Sequence, residues 1–317
     1  MQGQFNEPSL IMTYAPSGWG KTVDTLYSFP DALFIAQPGA LKPWLNVVGL
    51  PYEPAHAPKC RTIPEATQII REHTVAKGKT RRFTAIVCDD WSLMCDASFS
   101  QVETDFPKGG IQFWGGVRKM LLEFRQGARD AGMHIVINCH ERGPHTDDKK
   151  GFVRGGPMLP GTMPEDFPKS CDMVLRVMKE DSYPDWHMVY SAHEGSDDYV
   201  EKDRHGFVPP TTKLAPMNLG ELMRQGFPEG SEFAIRRPRG LEWMEKVVEQ
   251  VASRLRGTSP GDVKQKEILS AFRPLIESKY TKVMPHIRWI FRDAVARAIL
   301  RDTHDRDALA AYTTTVA

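Results

Sequence analysis

The chain has 317 residues, room for a core of ~220–240 residues and a smaller appendage. Its 41 Lys and Arg against 40 Asp and Glu leave a net charge of +1, which excludes a uniformly basic nucleic-acid coat and confines any nucleic-acid contact to a local patch. Five cysteines without a Cys-x-x-Cys pair fit neither a disulfide framework nor a zinc site and suit a reducing compartment.

The first apolar run, Leu10 to Tyr14, reads as a strand and leads into Ala15-Pro16-Ser17-Gly18-Trp19-Gly20-Lys21-Thr22, after which a helix is expected to about Phe29. Strand, glycine-bearing loop and helix N-terminus in that order form a P-loop. Gly18 and Gly20 free the backbone to turn its N–H groups around phosphate. Lys21 reaches the terminal phosphates of ATP, and the Thr22 hydroxyl ligates Mg²⁺. Ala15 stands where the stricter pattern has Gly.

A second strand is expected at Ala32 to Ala36, bounded by Pro30-Asp31 and Pro38-Gly39, then a Pro-rich connection from Pro43 to Pro58 and a helix from about Pro64 to Ala76. Phe83 to Cys88 is the third strand and runs into Asp89-Asp90. A carboxylate at the end of a buried strand suits Mg²⁺, so Asp89 is a candidate metal residue, with capping of the next helix as the plainer role. Asp90 has two readings of equal weight, orienting the attacking water or capping. Phe113 to Ala131 places Val117, Met120, Leu121, Phe124 and Ala128 on one helical face, and Gly132 closes it.

Later strands are expected at His134 to Asn138, Met173 to Val177 and Trp186 to Ser191. Alternating strands and helices give an α/β fold, a mostly parallel sheet with helices on both faces, whose ligands bind at the strands' carboxyl ends. Between His140 and Asp172 runs a long, basic, Gly- and Pro-rich connection read as an unstructured loop. On Val200 to Gly206, Lys202 and Arg204 stand two apart, so a strand there turns both to one face and toward one anion.

Taken together, Ala15 to Thr22, the Asp89 strand, Asn138 to Glu141 and Lys202-x-Arg204-x-Gly206 resemble the RecA-like P-loop ATPases over about residues 8–225. Phe29 to Ile35 and Pro157 to Pro160 look most like the short phage-encoded RecA-like single-strand annealing proteins. The resemblance implies an ATPase that uses ATP and Mg²⁺, assembles as a homo-oligomeric ring or filament and acts on single-stranded DNA in recombination or replication. It makes His140 the better candidate for sensing the terminal phosphate, with a helix- or loop-stabilising histidine as the plainer reading. It also sends Lys202 and Arg204 into a neighbouring subunit's nucleotide site, and lays the 140–172 loop on DNA. Lys149, Lys150 and Arg154 would then meet phosphates and Phe152 would stack on a base; a solvated loop touching nothing is the plainer reading. One departure matters. Where these proteins carry an acid after the second strand, this chain has Ala36-Gln-Pro-Gly39, which favours an alternative: an ATP-binding assembly switch, scaffold or loader with little hydrolysis.

The expected organisation is a RecA-like core over 1–230 and a helical extension over 231–317. In the extension, Leu241 to Leu255 and Ile287 to Ala298 form apolar stripes, and residues 264–306 hold ten Lys and Arg against five Asp and Glu. Such stripes read first as intramolecular core and second as a module for a partner or DNA. With no apolar run near the ~18–20 residues that span a membrane, and no leader pattern at the start, the chain is expected in the cytoplasm, a host's if phage-encoded, without a membrane partner.

Overall fold

The computed structural model describes residues 7–42, 54–76, 79–107, 110–148, 151–161, 163–179, 188–192, 198–208, 214–215 and 219–236, with short pieces at 253–254 and 267. Strand β1 (Leu10–Ala15) leads through the glycine-bearing loop into helix α1 (Lys21–Ser28). Then come β2 (Leu33–Ala36), α2 (Ile63–Glu72), β3 (Ala85–Asp89), α3 (Trp91–Asp105), α4 (Ile111–Asp130) and β4 (His134–Arg142). The second half holds β5 (His145–Asp147), β6 (Gly151–Val153), β7 (Gly156–Pro157), α5 (Met163–Asp166), β8 (Met173–Lys179), β9 (Met188–Ser191), β10 (Lys202–Asp203), β11 (Leu214–Ala215) and α6 (Leu219–Arg224).

The main sheet runs β11-β9-β8-β1-β4-β3-β2, with β10 also on β8 and β7 on β4. Its five consecutive strands from β8 to the edge strand β2 are parallel, and the rest pair antiparallel. This is the expected mostly parallel, helix-flanked α/β sheet, with the glycine-bearing loop at the carboxyl end of β1. Parallel strands covered on both faces read as unbroken apolar runs, and β1, β2 and β3 are buried at every residue. Alternate residues serve opposite faces. Leu10, Met12 and Tyr14 join the large core with Phe124, Trp91 and Phe167, while Thr13 turns the other way to hydrogen-bond Asn138.

Three expectations change. The connection after His140 is structured: β4 runs on to Arg142, β5 and β6 form a hairpin, and β7 returns along the end of β4, Glu141 opposite Pro157 and Arg142 opposite Gly156. Three helices had no expected bounds: α5 and α6, and α3, which only the capping alternative at Asp89-Asp90 implied. The packed core continues past residue 230, since Phe233 and Ile235 are buried. Lys149, Lys150, residues 43–53 and the stripes at 241–255 and 287–298 lie outside the described residues, apart from Ser253 and Arg254 in their short piece.

The segment after α6 is fastened beneath the sheet by a buried histidine. His134 accepts the Ser9 N–H on Nδ1 at 3.2 Å, which leaves Nε2 to donate to the Phe233 carbonyl at 2.9 Å. Burial holds this neutral ring's pKa down at about 4. The unfolded chain therefore takes up a proton near pH 6.5 that the folded chain refuses until about pH 4, so stability is full above pH 6.5 and falls as pH drops through that window. Urea unfolding between pH 7 and pH 4.5 should show a decline attributable to this ring of up to ~3 kcal/mol. A His134→Leu variant, less stable at pH 7, should lose that part of the slope; an unchanged slope would remove His134 from the account.

Candidate nucleotide site

The loop that crowns β1 is shaped by two left-handed glycines. Gly18 has φ 79° and Gly20 φ 87°, conformations that a residue with a Cβ adopts only under strain. Gly20 is the N-cap of α1 and offers no side-chain cap, so the first N–H groups of α1 are left to a ligand at the positive end of the helix. Ser17 and Gly18 are exposed at the crown, and Pro16 and Trp19 are half-buried.

Lys21 is buried. Its ammonium donates to the carbonyls of Ala15 at 2.9 Å and Pro16 at 3.1 Å, which uses two of three donors. Desolvation lowers its pKa, opposed by the charges of Asp89 and Asp90. Asp89, at the carboxyl end of β3, is buried as well. Burial pushes its carboxyl up to about 6, against the pull of the Thr22 hydroxyl, Lys21 and the Asn138 amide. Asp89 Oδ2 is buried without a hydrogen-bond partner. A buried carboxylate oxygen with nothing to accept, beside a threonine hydroxyl and a P-loop, fits a divalent cation. Among the described residues no cluster of three or more His, Cys, Asp or Glu makes a protein-only metal cage. Mg²⁺ keeps several waters and takes phosphate oxygens along with one or two protein ligands, a role Thr22 and Asp89 would fill.

Asn138 ties this centre together. Its Oδ1 accepts from Thr13 Oγ1 at 2.8 Å and its Nδ2 donates to Thr25 Oγ1 at 3.1 Å, linking β4, β1 and α1. Asp90 does cap α3: Oδ1 accepts the N–H of Ser92 at 2.9 Å and of Leu93 at 3.4 Å. Its other oxygen contacts His140 Nε2. His140 pairs in register with Ala15, and its own N–H donates to Ser92 Oγ at 2.9 Å. The structure thus gathers Lys21, Thr22, Asp89, Asp90 and His140 at the carboxyl ends of three adjacent strands.

One residue further along β4, Glu141 receives Arg176 in a fork, both contacts at 3.0 Å. The guanidinium lies 3.4 Å from the Tyr199 ring centroid. Sequence reading passed over this pair, although an arginine inside the apolar run of β8 signals a buried partner. The hairpin rises from the same strand end. Phe152 is 57% exposed, Arg154 is exposed, and Arg142 Nη2 donates to the Arg154 carbonyl at 3.2 Å. At the hairpin's foot, a Cβ on Gly155 would come within 2.5 Å of the Tyr199 ring, so the chain passes there only as glycine.

Lys202 and Arg204 part company. Strand β10 ends at Asp203, so the alternation that would align the two does not reach Arg204. Lys202 Nζ donates to the carbonyls of Lys169 at 3.1 Å and Cys171 at 2.5 Å, within its own chain. Arg204 has a side chain 57% exposed, 3.9 Å from Asp172. It stands at the opposite end of the sheet, roughly a strand's length (~17 Å) from its own P-loop.

A family model described as an AAA domain matches residues 7–205, more than half of the chain. No curated protein matches it. Among solved structures, the crystal structure of the RadB recombinase is similar at 12% identity and a TM-score of 0.36, covering 61% of this chain and 84% of that one. Among the described residues no helix is long and apolar enough to cross a membrane.

Proposed function

The chain belongs to the AAA-domain family, and from that premise we propose that this nucleotide-binding ATPase of RecA type binds Mg²⁺–ATP and works on single-stranded DNA as a homo-oligomer in recombination or replication of the phage kind. The observation that carries the nucleotide part is the unpartnered Asp89 oxygen buried beside Thr22 and Lys21. The backbone N–H groups from Gly18 to Thr22 and the N-terminus of α1 receive the phosphates, and Lys21 balances their charge. Thr22 and Asp89 hold Mg²⁺, which when bound neutralises charge on the phosphate oxygens. Asp90, fixed by its cap to α3, orients the water, and His140 beside it reads the terminal phosphate.

The hairpin supports the DNA part. It projects from the strand that carries His140, with the exposed Phe152 ring and with Arg142 and Arg154 at its stem, and stacking with phosphate neutralisation is how single strands are held without sequence preference. Arg204 supports the oligomer. Too far from its own P-loop to serve it, the exposed Arg204 at the sheet's other end would enter a neighbour's, while Lys202 braces the turn that presents it.

A second reading, an ATP-dependent assembly switch or loader, is favoured by Gln37. This residue occupies the position after β2, where it donates to the Arg61 carbonyl at 2.8 Å and offers no carboxylate. Turnover measured with and without single-stranded DNA separates the two.

On the first reading DNA accelerates turnover at least tenfold. Replacing Lys149, Lys150 and Arg154 with Ala then lowers DNA affinity and flattens the log–log salt slope by about 0.7 per lost phosphate contact. An unchanged slope, with ATP binding intact, would move the DNA contact off the hairpin.

Mixing tests the shared site. Lys21→Ala and Arg204→Ala should each be inactive alone, the first unable to hold phosphate and the second unable to stabilise charge that develops in the transition state. Combined, they should regain activity, because some interfaces join an intact P-loop to an intact arginine. Mixed oligomers that stay inactive would return Arg204 to the surface.

A further inference from the structure

Residues 219–236 lie beyond the stretch matched by the AAA-domain model, and the phosphate chemistry makes no direct use of them. They are nonetheless bonded to the helix that carries Lys21 and Thr22. Helix α1 has only eight residues and is held from two sides. Toward the sheet, Thr25 bonds Asn138. Toward α6, the Asp24 carboxylate accepts the N–H of Leu219 at 3.1 Å, and the Ser28 hydroxyl accepts the N–H of Gly220 at 2.7 Å.

All four residues of this second contact are buried. A Cβ on Gly220 would stand 2.9 Å from the Cα and carbonyl oxygen of Ser28, so α6 can approach this closely only through glycine. The far end of the segment is anchored independently. His134 donates to the Phe233 carbonyl, and Arg81 forks onto Gly132 and Glu232 and lies 4.3 Å from the Phe233 ring centroid. Arg236 reaches Asp31 at 3.3 Å.

We infer that residues 219–236 form a strap whose docking on Asp24 and Ser28 positions the P-loop helix for nucleotide, so that ATP binding and strap docking favour one another. Lys21 and Asp24 are one helical turn apart, and a rigid short helix transmits a tilt at one to the other. If the strap leaves, the Asp24 carboxylate loses an N–H that offsets its desolvation, and α1 shifts to bring that charge toward water. Phosphate at the helix N-terminus needs the docked arrangement. By linkage the effect runs both ways, and ATP strengthens the docking by the same factor that docking strengthens ATP. Asp24 and Ser28 are positioning residues, and this inference rests on the nucleotide reading above.

Amide hydrogen exchange on the full chain, with and without ATP and Mg²⁺, tests it. In the wild type, ATP should slow exchange in two separate stretches, 16–27 and 219–235, and in Lys21→Ala it should slow neither. Asp24→Ala should still show protection of 16–27 at saturating ATP, with affinity reduced about tenfold, while 219–235 exchanges fast and ignores the nucleotide. Ser28→Ala, the gentler change, should move both readouts the same way by less and serves if Asp24→Ala does not fold. Protection of 16–27 alone in the wild type would overturn the strap, as would wild-type ATP affinity in the folded Asp24 or Ser28 variants. Protection of neither stretch in the wild type would overturn the strap and the nucleotide reading together.

Discussion

A carboxylate and an ammonium, Asp89 and Lys21, are both taken out of water at the mouth of the same loop, and the rest of the site is arranged to tolerate them. Buried charge is costly unless paired and hydrogen-bonded. Lys21 meets the cost with two carbonyls of its own loop. Asp89 has the Thr22 hydroxyl and the Asn138 amide, and one oxygen remains unmatched. On the proposed function, phosphate and a divalent cation would complete the arrangement, since they would bring the opposite charges to each group. Asn138 sets its scale, because a single amide spans β1, β4 and α1 and keeps loop, strand end and helix in one frame.

From that frame the structure extends in two directions. Along β4, successive residues pass from the site to the surface: His140 to Asp90, Glu141 to Arg176, and Arg142 to the hairpin. Along α1, Asp24 and Ser28 pass to α6 and the segment beneath the sheet. The second route has buried polar contacts at its joints, whereas the first passes from part-buried pairs to an exposed one at the hairpin.

The P-loop, the central strands and the placement of Asp89 were legible in the sequence because each follows from a local rule: fixed spacing, unbroken apolar runs and a charge at a strand end. Helix α3 was not. Its buried side carries Ser92 and Ser98 among Trp91, Met94 and Cys95, so no apolar stripe marks it. The hairpin strands have three residues each and are largely exposed, and their pairing is visible only in three dimensions. Lys202 shows the limit of periodicity. Alternation predicts its direction only while the strand lasts, and the carbonyls that draw it inward come from a turn more than thirty residues away in sequence. The Glu141–Arg176 pair and the contacts of Asp24 are likewise long-range, and nothing local to either residue specifies the other.

Calorimetric titration of ATP into the wild type and Asp89→Asn, each with Mg²⁺ and with a chelator, tests the central claim most directly. Wild type should bind ATP at least tenfold more tightly with Mg²⁺ than without. Asp89→Asn should lose that advantage while binding metal-free ATP at least as well, since Lys21 and the loop N–H groups remain and a negative charge has gone. An undiminished Mg²⁺ advantage in Asp89→Asn would contradict the assignment of the buried Asp89 oxygen to the metal.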